Sequence, residues 1–190
     1  MNNDLTGTWS SKNNTYYVFS VLEAKNNQSV IPKALFAYED DSTKAEITFE
    51  DLEDEANEFI EKGLENLYYI IKSNDREVEE IYYGGLIQLN SQYYLDLYKP
   101  QILTKDVFRF PTHTFVKINI KANELVLHEF KTSFLEDLIK KQQLRIKHEY
   151  SNNSFLLTAP SEELQKFILK YGNNPKAYDD KHSFTKKISP

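Results

Sequence analysis

Residues 114–130 constrain the fold of this chain more than any other stretch, because their pattern admits one satisfactory pairing. Val116, Ile118 and Ile120 alternate with Lys117, Asn119 and Lys121, and Leu125 and Leu127 resume the alternation after Ala122-Asn123. A side-chain period of two marks a strand with one buried face. A two-residue turn at Ala122-Asn123 sets Lys121 against Glu124, Ile120 against Leu125, Ile118 against Leu127, Lys117 against His128 and Phe115 against Phe130. Charge and apolar pairing are then satisfied together, and a slip of one residue would turn the whole apolar set to the other face. A second hairpin reads as Tyr82–Leu89, a turn at Asn90-Ser91 and Gln92–Tyr98, stopped by Pro100. Strand patterns of this kind dominate to about residue 130, separated by polar clusters such as Asn26–Ser29 and Glu39–Ser42. The expected core is an antiparallel meander.

Three segments break the strand pattern and predict helices near 51–62, 133–142 and 161–171. The first places Leu52, Ala56, Phe59 and Ile60 at helical spacing and ends at Gly63. Across 50–65 eight acids stand against Lys62, leaving seven negative charges where the whole chain carries −6, so the remainder is about neutral. This acidic helix therefore reads as an insertion, about 48–66, with a short apolar stripe and modest packing. The second helix opens on the capping-box pattern Ser133-Phe134-Leu135-Glu136 and is followed by an alternating run through Tyr150, a turn and Phe155-Leu156-Leu157. The third follows Pro160 with Leu164, Phe167, Ile168 and Tyr171 on one side and stops at Gly172. Residues 173–190 carry few apolar side chains and predict a surface tail. With no repeat or linker, the chain is read as one domain over 1–190, α+β and mainly β: an antiparallel barrel or strongly curved sheet with about three flanking helices.

Composition narrows the function. At 190 residues the chain is long enough to bury a substantial core. Cysteine is absent, which removes disulfides, thiolate catalysis and cysteine-ligated zinc. Net acidity with three arginines argues against nucleic acid, whose phosphates need clustered Lys and Arg. No apolar run reaches membrane-span length, and the start Met1-Asn2-Asn3-Asp4 has no signal-peptide pattern, so a cytoplasmic protein is expected.

No catalytic, cofactor-binding or metal-ligating set emerges. The four histidines lack metal-ligand spacing, and nucleophile and phosphate-loop motifs are missing. Gly84-Gly85 reads as a bulge or bend in a long strand, while His113 and His128 read as strand-edge or capping residues. His148 alternates with Leu144, Ile146 and Tyr150 on an apolar face, so it is either buried and bonded or lines a cavity. Asp96 shares a face with Tyr94 and Tyr98, an unusual setting for a carboxylate, and a tyrosine hydroxyl or an arginine across the barrel is a candidate partner. The tyrosine pairs at 16–17, 68–69, 82–83 and 93–94 put one ring on each strand face. Inward rings either fill a small core, the commoner outcome, or line a pocket for an amphipathic ligand. His148, Asp96, Tyr94 and Tyr150 form the candidate ligand-pocket set.

The opening Gly7-Thr8-Trp9 holds the one tryptophan, a large apolar surface with a single donor, suited to an end of a barrel, with Arg145 or another cation as candidate partner over the ring. Gly-Thr-Trp before a first strand resembles the entry of lipocalin-like barrels. The stretch from Leu156-Leu157-Thr158-Ala159-Pro160 through Leu164-Gln165, with Tyr94–Pro100 and Phe110–Ile118, resembles a family of uncharacterised bacterial proteins, many of them predicted lipoproteins. The resemblance implies a compact β-rich domain, often anchored by lipid at the cell envelope, which is the alternative localisation. It implies no reaction. The expectation is a non-enzymatic module binding a small amphipathic ligand or a protein partner. The alternative is a small hydrolase or isomerase using His148, Asp96 and inward tyrosines inside a barrel cavity.

Overall fold

A computed structural model describes residues 5–12, 15–20, 38–40, 43–45, 49–64, 66–73, 78–98, 113–151, 154–179 and 181–187. The strands in chain order are β1 (Gly7–Ser10), β2 (Thr15–Ser20), β3 (Tyr38–Asp40), β4 (Thr43–Ala45), β5 (Leu67–Ser73), β6 (Val78–Leu89), β7 (Gln92–Tyr98), β8 (His113–Lys121), β9 (Glu124–Glu129), β10 (His148–Ser151), β11 (Ser154–Leu157) and β12 (His182–Lys187). The helices are α1 (Phe49–Glu61), α2 (Thr132–Lys140) and α3 (Ser161–Tyr171), with a 3-10 turn at Pro175–Ala177. Strands β1, β2, β5, β6, β7, β8, β9 and β12 close into one antiparallel barrel, while β3–β4 and β10–β11 are separate hairpins. The fold is thus α+β and mainly β, a lipocalin-like closed barrel.

Residues opposed on paired strands share a face, so the register identifies the interior. Val18 faces Ile70, Leu86 faces Leu95, Leu95 faces Val116, Ile118 faces Leu127, and Leu125 faces Phe184. These side chains form one packed cluster with Leu5, Trp9 and Tyr68. Each buried aliphatic side chain of this kind contributes roughly 1.5–3 kcal/mol. The β8–β9 register is the one the sequence requires, from Lys121 against Glu124 to Lys117 against His128. It ends at Val116 against Glu129, because Phe130 turns away to bridge Tyr178. The β6–β7 turn also falls at Asn90-Ser91, both in the left-handed region (φ 47° and 63°). Pro100 and the polar cluster 26–29 lie outside the described residues.

Trp9 is fully buried; its Nε1 donates to the Leu5 carbonyl at 2.8 Å. The cation over its ring is Lys186, 5.2 Å from the centroid, rather than Arg145, because β12 runs beside β1 and opposes Lys186 to Trp9. Gly7, at φ 128°, lets the Lys186 stem lie against the backbone: a Cβ there would meet Lys186 Cε at 2.8 Å.

The barrel is covered outside as well as filled inside. Tyr94 and Phe115 on its outer face pack with Leu135 and Leu138 of α2, Phe155 and Leu157 of β11, and Phe167 and Ile168 of α3. Helix α1 sits over another part of that face. Its Ala56 is fully buried and its Phe59 meets Tyr83 edge-on at 5.1 Å and Tyr69 at 6.3 Å. The aromatic row continues from Tyr83 to Tyr98 at 6.0 Å and on to His113 at 5.4 Å. The packing of α1 is therefore more than its short stripe suggests, since it covers outward tyrosines the barrel itself cannot bury.

Three local expectations are corrected. The region read as a surface tail contains β12, which closes the barrel against β9 and β1 and buries Phe184. It looks polar because Phe184 is its one large apolar inward residue, flanked inward by His182 and Lys186, while Ser183, Thr185 and Lys187 face outward. The capping box at Ser133 does not form: α2 begins at Thr132, with Lys131 at the N-cap and no side-chain cap. Gly84-Gly85 is no bulge, since the ladders on both sides run through it in register; the shift lies at Lys72/Ser73. Gly84 is instead a packing glycine, whose added Cβ would meet Ile70 Cδ1 at 2.8 Å.

Candidate functional site

The inward parity of several strands runs from apolar residues to charged ones at one end of the barrel. On β5 the sequence Tyr68, Ile70, Lys72 shares a face; on β6 Glu80 precedes Tyr82 and Gly84; on β9 Leu125 and Leu127 precede Glu129; on β12 His182 precedes Phe184. The register opposes Lys72 to both Tyr16 and Glu80, and Leu127 to His182. The Lys72 ammonium lies 3.6 Å from the Glu80 carboxylate, which also accepts the Tyr82 hydroxyl at 2.6 Å. Burial, reinforced by the Glu80 carboxylate, holds the Tyr82 hydroxyl protonated far above the usual tyrosine range.

Above this ion pair opens a cleft of about 330 Å³, lined by Tyr16, Lys72, Leu127, Glu129, Lys181, His182 and Phe184 among others. Its apolar lining is Leu127 with the Tyr16 and Phe184 rings, which meet edge-on at 5.0 Å. A second cleft of about 510 Å³, lined by Lys131, Pro175, Tyr178, Asp179 and His182, shares His182 with the first. Its rim carries the exposed Lys131–Asp179 pair at 3.6 Å.

Between α3 and the outer barrel face lies a polar knot. The Lys117 ammonium and the Tyr178 hydroxyl both donate to the Gly172 carbonyl, at 3.0 and 2.6 Å, and Tyr178 shares a hydrogen bond with the Tyr94 hydroxyl. This satisfies the carbonyl at the negative end of α3. Burial raises both tyrosines and lowers Lys117. Beside it Gln92 donates to the Asn119 carboxamide oxygen at 3.1 Å, and Asn119 bonds His128 Nε2 at 3.1 Å. Burial first, then Lys117 and Lys181, depress His128. The knot reads as structural, because it ties a helix terminus to the sheet.

The four sequence-predicted pocket residues are placed elsewhere. Tyr94 and Asp96 sit on the outer face of β7, since Leu95 between them points inward. Tyr94 is buried under α3; Asp96 Oδ1 accepts from His113 Nδ1 at 2.8 Å, a residue the sequence placed at a strand edge. His148 and Tyr150 share the β10–β11 hairpin, outside the barrel. The His148 ring lies 5.7 Å from Tyr150 and 5.2 Å from Phe155, its Nδ1 bonds the Ile146 carbonyl at 2.8 Å, and Tyr150 is 59% exposed. Asp96 and His148 thus engage different partners, and none of the four lines either cleft. Among the described residues no group of three or more His, Asp or Glu side chains is disposed to hold a metal ion. Among the described residues no helix is long and apolar enough to cross a membrane.

Of each tyrosine pair one ring does point inward: Tyr16, Tyr68, Tyr82 and Tyr93 belong to the interior cluster. The mouth charges were missed, although the signal was present in the same parity, where charged residues occupy positions that continue an apolar face. Comparison with protein-family models, with curated proteins and with solved structures finds no match to this chain.

Proposed function

We propose that this chain is a non-enzymatic binding module, of the bacterial kind its sequence resembles, that seats a small amphipathic ligand in the cleft at the barrel mouth. The observation that carries the reading is the change of character along the inward face. Trp9, Ile118 and their neighbours fill the interior, whereas Lys72, Glu80, Glu129 and His182 take the same parity at one end. Charged side chains on an inward face are costly where sealed and tolerable at an opening. An aromatic lining beside charged side chains suits a ligand with an apolar body and a polar head. The cleft lies at the lower end of the ligand-pocket range, which favours a metabolite-sized occupant over a long lipid.

The test is a titration of ¹⁵N-labelled protein with a panel of small amphipathic acids and amines, followed by amide chemical shifts. Saturable shifts should begin at Leu127, Glu129, Ser183 and Phe184. Shifts that saturate first on the β10–β11 hairpin or at Asp96 and His113, or none across the panel, would refute the reading.

A further inference from the structure

Resting on that reading, we infer that the mouth cleft is built for a zwitterion, a free amino acid with an apolar side chain or a compound of the same charge pattern. Glu129 and Lys181 line the same cleft with opposite charges. Among the described residues neither side chain has an ion-pair partner, and they do not pair with each other, so their charged atoms stand more than 4.0 Å apart. The neighbouring charge is already engaged, since Lys72 faces Glu80 at 3.6 Å. What remains is one unpaired carboxylate and one unpaired ammonium facing a common space, lined also by the Tyr16–Phe184 edge-to-face pair and Leu127.

Each ligand class meets this geometry differently. A simple anion gains Lys181 but is repelled by Glu129. A simple cation gains Glu129 and the faces of Tyr16 and Phe184, but is repelled by Lys181. A short zwitterion sets its ammonium toward Glu129 and its carboxylate toward Lys181, while its side chain covers the aromatic lining. Complementary charge of both signs fixes one orientation, which is how polar groups in a small site confer selectivity. Both side chains are exposed, so the attraction is screened by salt and each contact contributes only a modest factor.

The experiment compares three probes of one shape at low ionic strength by calorimetry and amide shifts: L-phenylalanine, 3-phenylpropionate, which lacks the ammonium, and 2-phenylethylamine, which lacks the carboxylate. L-Phenylalanine should bind about two- to fivefold more tightly than either analogue, the factor expected of one exposed charge contact. Glu129→Gln should weaken L-phenylalanine by a similar factor and leave 3-phenylpropionate no weaker. Lys181→Met should weaken L-phenylalanine and leave 2-phenylethylamine no weaker. Equal affinity for the three probes, or a variant that weakens all three alike, overturns the zwitterion assignment. In that case binding at the mouth amides still supports the module. Silence from all three probes overturns the assignment and counts against the mouth as a ligand site.

Discussion

Replacing Trp9 by alanine removes the residue around which the barrel interior is organised. The indole has no exposed surface, and truncating a core tryptophan costs roughly 3–5 kcal/mol from lost burial and the cavity left behind. The upper part of that range applies here for two reasons. The Nε1–Leu5 bond at 2.8 Å disappears, leaving the carbonyl of another fully buried residue without its donor, worth about 1 kcal/mol. The Lys186 ammonium, 5.2 Å from the ring centroid, loses its aromatic partner, a further contribution of up to about 1 kcal/mol. Against a typical total stability of roughly 5–15 kcal/mol, a loss near 5 kcal/mol is a large fraction. Equilibrium urea unfolding followed by far-ultraviolet circular dichroism measures it without needing the indole. With a urea dependence of about 2 kcal/mol per molar, the midpoint should fall by roughly 2.5 M. Trp9→Phe keeps a buried ring and should lose roughly half as much. A Trp9→Ala midpoint within about 0.3 M of the parent would refute the reasoning, because a loss below about 1 kcal/mol is not what an enclosed tryptophan costs.

Three other outcomes follow from the same structure. Gly172→Ala should destabilise by about 1–3 kcal/mol in the same urea assay, since its Cβ would meet the Tyr94 hydroxyl at 2.3 Å and the Ile168 carbonyl at 2.5 Å. A chain ended after Asp179, lacking β12, should lose its cooperative thermal transition, where a true surface tail would leave the melt unchanged. Alkaline pH should destabilise the protein: Tyr82, Tyr94 and Tyr178 are all raised in the fold above their ordinary value of 10.0, so their contribution is fully present below pH 10 and is lost as pH rises through the folded values. Urea midpoints on either side of pH 10 should fall less for Tyr82→Phe than for the parent, and an equal fall would contradict the placement of Tyr82.

The fold was readable where side-chain parity and turn chemistry act together. Alternation from Val116 to Leu127 determines its own register, and Asn90-Ser91 supplies the left-handed residues a two-residue turn needs. Long-range closure was not readable, because β12 offers one apolar residue, Phe184, and its meaning depends on β9 and β1, far away in sequence. The candidate site was misread for a related reason. Asp96 and Tyr94 looked like a polar intrusion into a barrel interior, but they share the outer face of β7, where Tyr94 packs against α2 and α3 while Asp96 and Tyr98 meet His113. A strand partly covered on its outer side loses the simple rule that polar means outward. The mouth charges obeyed parity, yet Lys72, Glu80 and Glu129 become a group only when β5, β6 and β9 are placed around one opening.

The Tyr16–Phe184 pair lies in the cleft and joins β2 to β12, the two strands that β1 bridges to close the barrel, and it is the most direct point at which to test the account. Nuclear Overhauser spectra of the labelled protein should contain cross-peaks between the ring protons of Tyr16 and Phe184, whose centroids lie 5.0 Å apart edge to face. With them should come backbone cross-peaks from Trp9 to Lys186 and from Ser10 to Thr185 across β1 and β12. Strong ring cross-peaks establish the closed barrel and its mouth together. Their absence in a spectrum that still contains the β8–β9 cross-peaks would mean an open sheet, and with it no such cleft for a ligand.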